Sequence, residues 1–507
     1  MRRPVATGGM ELELRLALPE PGCEDEEANE LFMEARYQDY LQHQQVQETM
    51  LEWQGNIGSE HQAEELQEKI GRLLATASPA LVTRVQRIGV AALQIFLSIN
   101  WLGDQLEVDL EKLLPFISSI ETSSFVDHLL VGDGEGVVSN VRLPVLLLFA
   151  KIILVRQRSH FGHMANHRFW SLRCSSLEAK VLEERSDLLH QETQALVEEG
   201  TSMSWNGENM LHALFLLEVA AHEVHYYKVK EAEQLVNEAA DLAGFNLAES
   251  GALGKRTKYQ EKDVAQFTLE LNLKVEDNKT EEVDRALLVR DVRLDDDLRL
   301  DKIAFKERRT DHTSSLNALQ QAVLASMFGL KLRSLPTMDA LTQEEVAPYL
   351  APLLDHPRAW ALHASALMAR SQLESNAGRT VEHALAQAES VVENLRLPGC
   401  FQTARLAFVH VSHLPPVWEV ERALGKMMVA LGQVKSALDI YLRLELWEEV
   451  ILVSIFPNVP MYHHLSGDCM LHPSTVAPQS SRDDSSKVGR EGNPETLVPP
   501  RRCHRRS

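Results

Sequence analysis

The chain has 507 residues, 44% of them apolar and 24% charged, which matches soluble globular proteins and excludes a chain disordered throughout. Fifty-one basic and 73 acidic side chains give a net charge of −22, a field that repels phosphate backbones and argues against direct nucleic-acid binding. Five scattered cysteines (Cys23, Cys174, Cys400, Cys469 and Cys503) show no metal-ligand spacing and fit free thiols in a reducing compartment.

Residues 1–27 read as a flexible acidic leader without the apolar core of a secretory signal. The chain is therefore expected in the cytoplasm, and in the nucleus as a second location. A first helical block is expected over 28–273. Within it, QAEELQEKIGRLL and VQRIGVAALQIFLSINWL repeat apolar residues at three and four. Gly132-Asp133-Gly134-Glu135-Gly136 reads as a turn. The run LPVLLLFAKIILV (143–155) contains Lys151 and is too short to span a bilayer, so it predicts a buried helix with Pro144 in its first turn. Helical periodicity returns at 170–198 and 208–244, and residues 267–273 are expected to end another helix.

Residues 274–312 are dense in both signs of charge and predict a linker. A second helical block is expected over 313–452, with helices near 314–332, 343–351, 358–373, 381–395, 402–410 and 417–452. Beyond Leu452 the chain turns rich in Pro, Ser, Gly and Arg, and 453–507 predicts a disordered tail. Its basic end (Arg501, Arg502, Arg505, Arg506) reads as a generic charged tail.

The strongest pattern lies at 418–451. Leu424-Gly425, Met428, Gly432, Ala437, Tyr441 and Leu444 follow much of the tetratricopeptide spacing of about 34 residues. Small residues at Gly425 and Ala437 let two antiparallel helices approach, and large ones fill the groove to the next pair. Weaker copies run through Ala220, Ala232, Val236 and Ala239, and through Ala364, Ala384 and Ala388. The separations are irregular. The fold class expected is therefore all-α, an irregular solenoid of helical hairpins.

No catalytic, cofactor or metal site is assigned. His222-Glu223-Val224-His225 has its histidines three apart, where a zinc-protease helix needs four. His160, His163 and His167 would share a face only on a continuous helix, which Gly162 interrupts. In Gly251–Thr257, Glu249 stands where a phosphate loop needs its first glycine, and Arg256 where it needs Ser or Thr. This stretch reads instead as a basic turn between helices, and Lys255, Arg256 and Lys258 are the candidate partner-binding residues. His463, His464, Cys469 and His472 lie in the expected tail, without a core to position them as ligands.

The segments QIFLSINWLG (94–103), LPVLLLFAKIILV, FWSLRC (169–174), VLEERSDLL (181–189), SGALGKRTKYQEKDVAQ (250–266) and WEEVI (447–451) carry a further signal. On them the chain resembles the N-terminal half of the tetratricopeptide repeat protein 27 family over roughly 30–452. The resemblance implies a non-enzymatic interaction scaffold tied to chaperone-assisted assembly of large complexes, spliceosomal particles among them. Its partners would be proteins, chaperone machinery and its clients included, with no membrane and no small-molecule substrate. In that family the sequence after WEEV continues into further repeats. Here it diverges at Ser454-Ile455-Phe456-Pro457, as expected of a truncated or alternatively spliced form. A carboxylate clamp for chaperone tails needs Lys and Asn on successive repeats, and Arg422 and Lys426 do not supply it. Two other readings stay open: a non-functional truncated product, and an enzyme using a metal at His160, His163 and His167 or a nucleotide at Gly251–Thr257.

Overall fold

The structure, a computed structural model, describes residue 16 and residues 25–53, 62–103, 107–117, 136–273, 283, 285, 287–306, 315–334, 340–375, 378–397 and 402–455. The N-terminal helices are α1 (Glu26–Met33), α2 (Tyr37–Gln42), α3 (Gln44–Leu51), α4 (Gln62–Ala75), α5 (Pro79–Asn100), α6 (Leu110–Leu113) and α7 (Pro144–Lys151). The acidic leader is not loose throughout. Leu16 is buried, and its carbonyl accepts from Asn166 Nδ2 (2.9 Å) and Trp170 Nε1 (3.2 Å).

Helix α5 starts where Ser78 Oγ accepts the Leu81 N–H and Pro79 occupies the first turn. By length and mean hydropathy (1.3) it could cross a membrane, but 83% of its most apolar window is buried inside the protein. It is the central core helix. Its neighbour α7 continues into a π-helical turn, Ile152–Arg156. A Cβ on Gly89 would stand 2.9 Å from Ile153 Cγ2, so this glycine sets the close crossing of the two elements.

Helix α8 (His167–Val181) is buried on nearly every side although its sequence is polar. Each neighbour supplies a partner for one of its polar groups. Glu178 pairs with Lys151 of α7 at 2.5 Å, both side chains under 5% exposed. Arg173 forks onto Glu218 of α10, with contacts of 2.6, 3.0 and 3.1 Å. Arg168 donates to the Gly200 carbonyl (3.1 Å) and lies 3.9 Å over the Trp205 ring. Burial pushes the Glu178 carboxyl above its usual range, against the pull of Lys151.

From α8 onward the helices pair as antiparallel hairpins. These are α8 with α9 (Asp187–Ser202), α10 (Asn209–His225) with α11 (Val229–Leu242), and α12 (Ala318–Ser334) with α13 (Ala340–Asp355). The series continues with α14 (Trp360–Glu374) and α15 (Val381–Leu395), then α17 (Val417–Ala430) and α18 (Val434–Arg443). Short helix α16 (Gln402–Leu406) precedes α17, and α19 (Trp447–Ile455) follows α18. The helical stretch expected over 417–452, with a turn at Gly432 between two helices, holds three. Gly432, at φ 76°, makes the first turn between them. At Gly425 a Cβ would meet Tyr441 Cε1 at 2.6 Å, the close approach that the repeat spacing implies.

The all-α expectation needs one correction. Residues Phe245–Thr257 (β1), Val264–Leu273 (β2) and Arg299–Phe305 (β3) form an antiparallel sheet of order β2-β1-β3. Phe245↔Leu273 through Gly254↔Val264 set the β1–β2 register. Residues 267–273 therefore do not end a helix. The cause is legible in AQFTLELNL (265–273): apolar residues alternate with Gln266, Thr268, Glu270 and Asn272, the period of a strand. The sheet is an insertion within the hairpin stack, since α11 and α12 pack on each other across it in sequence.

The charged stretch expected as a linker also packs. Val289 is buried. Gln387 of α15 donates to the Arg290 carbonyl (2.9 Å) and accepts the Val292 N–H (2.8 Å), which is how a strand partner would behave. The chain from Pro457 onward lies outside the described residues, while α19 carries the last helix to Ile455, past the expected boundary at Leu452.

Two predictions follow from the core. Glu218→Ala strands a buried guanidinium and costs about 3–5 kcal/mol, whereas the Arg173→Met/Glu218→Leu pair costs much less; urea unfolding of both variants checks this. The second concerns acid. His167, His225 and His363 are buried, and burial pushes them down to about 3, about 3 and about 4. The unfolded chain binds their protons from about pH 6.5 downward and the folded chain does not, so stability is full above that pH and falls below it. Each histidine contributes a slope of up to about 1.4 kcal/mol per pH unit. Glu178 and Glu223, raised by burial, oppose this. His363→Asn should therefore flatten the loss of urea midpoint between pH 6.5 and 5; an unchanged slope refutes the assignment.

Candidate interaction surface

The distal end of the inserted sheet gathers exposed apolar side chains. Leu253 on β1, Val264 on β2, Phe305 on β3 and Tyr259 in the β1–β2 turn are 48%, 55%, 37% and 75% exposed. The register places Val264 and Phe305 on one face, because Gly254 pairs with both, while Leu253, paired with Ala265, lies on the other face of the same sheet end. The backbone of Lys306 closes the corner by donating to the Leu253 carbonyl at 2.9 Å. Single exposed apolar residues are ordinary, but four of them gathered at one sheet end among lysines is how interaction sites look.

The candidate residues Lys255, Arg256 and Lys258 lie here, on a strand and its end, not on a turn between helices. They divide by role. The Arg256 guanidinium pairs with Glu344 of α13 (2.7 Å) and contacts Gln266 Oε1, so it fastens the sheet to the stack. Lys258 Nζ donates to the Asp296 carbonyl at 2.7 Å and remains exposed. Lys255 has no side-chain hydrogen bond or ion pair among the described residues. The glycine-rich stretch Gly251–Thr257 is strand interior, and its pairing with β2 and β3 places it in a ladder, not in a phosphate cradle.

The histidine constellations scatter or belong to the core. His160 ends a 3-10 turn, His163 is exposed beyond it, and His167 opens α8, buried 3.4 Å from Gln86 Nε2. They share no helix face. His222 lies between Ser176 Oγ (3.3 Å) and His190 Nδ1 (3.3 Å), stacked on the His190 ring at 5.5 Å. Burial and neighbouring cations hold it well below the usual histidine range. Among the described residues no group of three or more His, Cys, Asp or Glu could hold a metal ion. His463, His464, Cys469 and His472 lie outside the described residues. Arg422 is engaged by Glu449 and by Glu419 (3.5 Å), and does not face an open groove as a clamp residue would.

A second apolar set lies on α19. Trp447, Ile451 and Ile455, four residues apart along the helix, are 59%, 55% and 61% exposed. A repeat hairpin leaves such a face for a neighbouring hairpin to cover. Sequence reasoning did not identify the apolar sheet end, because it read β1 as a turn. The alternation of β2 was the signal that could have found it.

No family model matches the sequence, and no solved structure matches it. Curated relatives do. A tetratricopeptide repeat protein 27 homolog of Dictyostelium discoideum is 25% identical over 399 residues, covering 72% of this chain and 46% of the relative. A TPR repeat-containing protein of Schizosaccharomyces pombe is 25% identical over 419 residues, 72% of this chain and 50% of its own length. A tetratricopeptide repeat-containing protein of Caenorhabditis elegans is 29% identical over 303 residues, 54% and 39%. The chain spans about half the length of these relatives or less. Helical hairpins in series, the repeat spacing at Gly425 and Tyr441, and these likenesses agree: the chain is similar to tetratricopeptide repeat protein 27 over about 72% of its length, with a largely helical, solenoid-like fold.

Proposed function

We propose that this chain is a non-enzymatic scaffold of the cytoplasm or nucleus that holds protein partners during chaperone-assisted assembly of large complexes, spliceosomal particles among them. The link to chaperones and spliceosomal particles rests on the resemblance alone. What supports a binding role here is the distal end of the sheet, where Leu253, Tyr259, Val264 and Phe305 are exposed beside Lys255, Lys258, Lys262 and Lys306. An apolar segment flanked by acidic residues complements that surface, with Lys255 and Lys258 as contacts and Arg256 positioning the strand.

Lysine-reactive crosslinking with mass spectrometry tests this in cells. Lys255, Lys258 and Lys262 are expected to crosslink to chaperone subunits and their clients. Leu253→Asp/Val264→Asp is expected to cut that yield about tenfold or more, a loss of about 1.4 kcal/mol or more, while thermal unfolding stays close to wild type. An unchanged partner set in the variant removes the sheet end from the reading. Partners without any chaperone component remove the chaperone link and leave the scaffold.

A further inference from the structure

Three helices of the stack end at one place. Arg185, just past α8, donates Nε to the His225 carbonyl at the end of α10 (2.6 Å). Its guanidinium carbon lies 3.9 Å from the Tyr227 ring centre. Arg333, in the last turn of α12, approaches the same ring at 5.2 Å. Tyr227 follows α10 in the left-handed region (φ 59°), the residue 51% exposed. Two guanidinium groups thus converge on one half-open aromatic ring.

The local charge is unbalanced. Arg333 makes no ion pair with a carboxylate among the described residues; Arg185, Tyr227 and the buried His225 and His413 rings face it. Lys180, at the end of α8, also lacks a salt bridge among the described residues. The carboxylate that acts on it, Glu218, is taken by the Arg173 fork. Lys180, Arg185 and Arg333 all act on the buried His225 ring, and no acidic group offsets them there. Helix C-termini carry about half a negative charge each, so three ends offset about half of three cations.

Guanidinium groups stack on aromatic rings and keep a planar fork of N–H donors suited to tetrahedral oxyanions. We propose that Arg185, Arg333 and the Tyr227 ring form a binding site for a phosphate-class oxyanion, either a free phosphate or a phosphorylated side chain of a bound protein. The site lies apart from the apolar end of the sheet and does not depend on it.

Calorimetric titration and thermal unfolding of the purified chain test this, with sodium phosphate compared against chloride at equal ionic strength. A phosphoserine peptide and its unphosphorylated counterpart form a second arm. Phosphate is expected to raise the unfolding midpoint of the wild type. Arg333→Gln, which leaves the Arg185 cap on α10 in place, is expected to weaken binding about tenfold or more. Its midpoint in chloride shows whether it folds. Should it fold poorly, Arg333→Lys carries the test, because a single ammonium does not reproduce the fork and must also weaken binding. Tighter binding of the phosphopeptide than of phosphate assigns the site to a modified partner, and the reverse assigns it to a free anion. No response to either probe, or equal binding by wild type and the Arg333 variants, overturns the proposal.

Discussion

The fold depends on a helix that sequence hydrophobicity would not place in a core. Helix α8 carries Arg168, Arg173 and Glu178 into the interior, and each charge is satisfied by a different neighbour: α9, α10 or α7. Apolar packing tolerates sliding, because many registers bury a similar area. A forked Arg–Glu pair does not, since a shift of one turn strands a desolvated charge at a cost of several kcal/mol. The register between the N-terminal helices and the hairpin stack is therefore set by charge, although apolar burial supplies most of the driving force. This also accounts for Lys151 in an otherwise apolar run.

The inserted sheet follows a different logic. A hairpin stack grows by covering one apolar face with the next pair. Helices α11 and α12 obey this, so the strands between them must leave the stack and return. Arg256 and Glu344, Lys331 and Glu249 (2.8 Å), and the Tyr349 hydroxyl donating to Glu249 (2.9 Å) tie the sheet back onto α12 and α13. At the far end, around the Arg256 tie, apolar side chains stay exposed.

Much of the helical order was legible because helices declare themselves locally. The span 381–395 falls where periodicity places it, and Gly425 meets Tyr441 as the repeat spacing requires. Two things were hidden. A helix was expected over 170–198, but not the burial of α8, whose polar residues are covered by partners remote in sequence; Arg173 and Glu218 are 45 residues apart. Strand β1 has two glycines and few β-branched residues, so only its partner β2 showed strand alternation. The charged stretch misled for a related reason: its backbone docks through Gln387, 95 residues from Val292, and its own composition does not announce that contact.

Strongly shifted titratable groups often mark chemistry, and here they mark packing. His167, His225 and His363 are depressed mainly by burial, and Cys174 is raised by it. All four are buried core side chains, and the shift of each is explained by the apolar surroundings that the stack creates. The groups left in contact with solvent are of another kind: apolar and lysine side chains at the sheet end, and two arginines on a half-open tyrosine. Both arrangements suit recognition. They arise because helices that end together concentrate cations, and an inserted sheet extends beyond the stack that holds it.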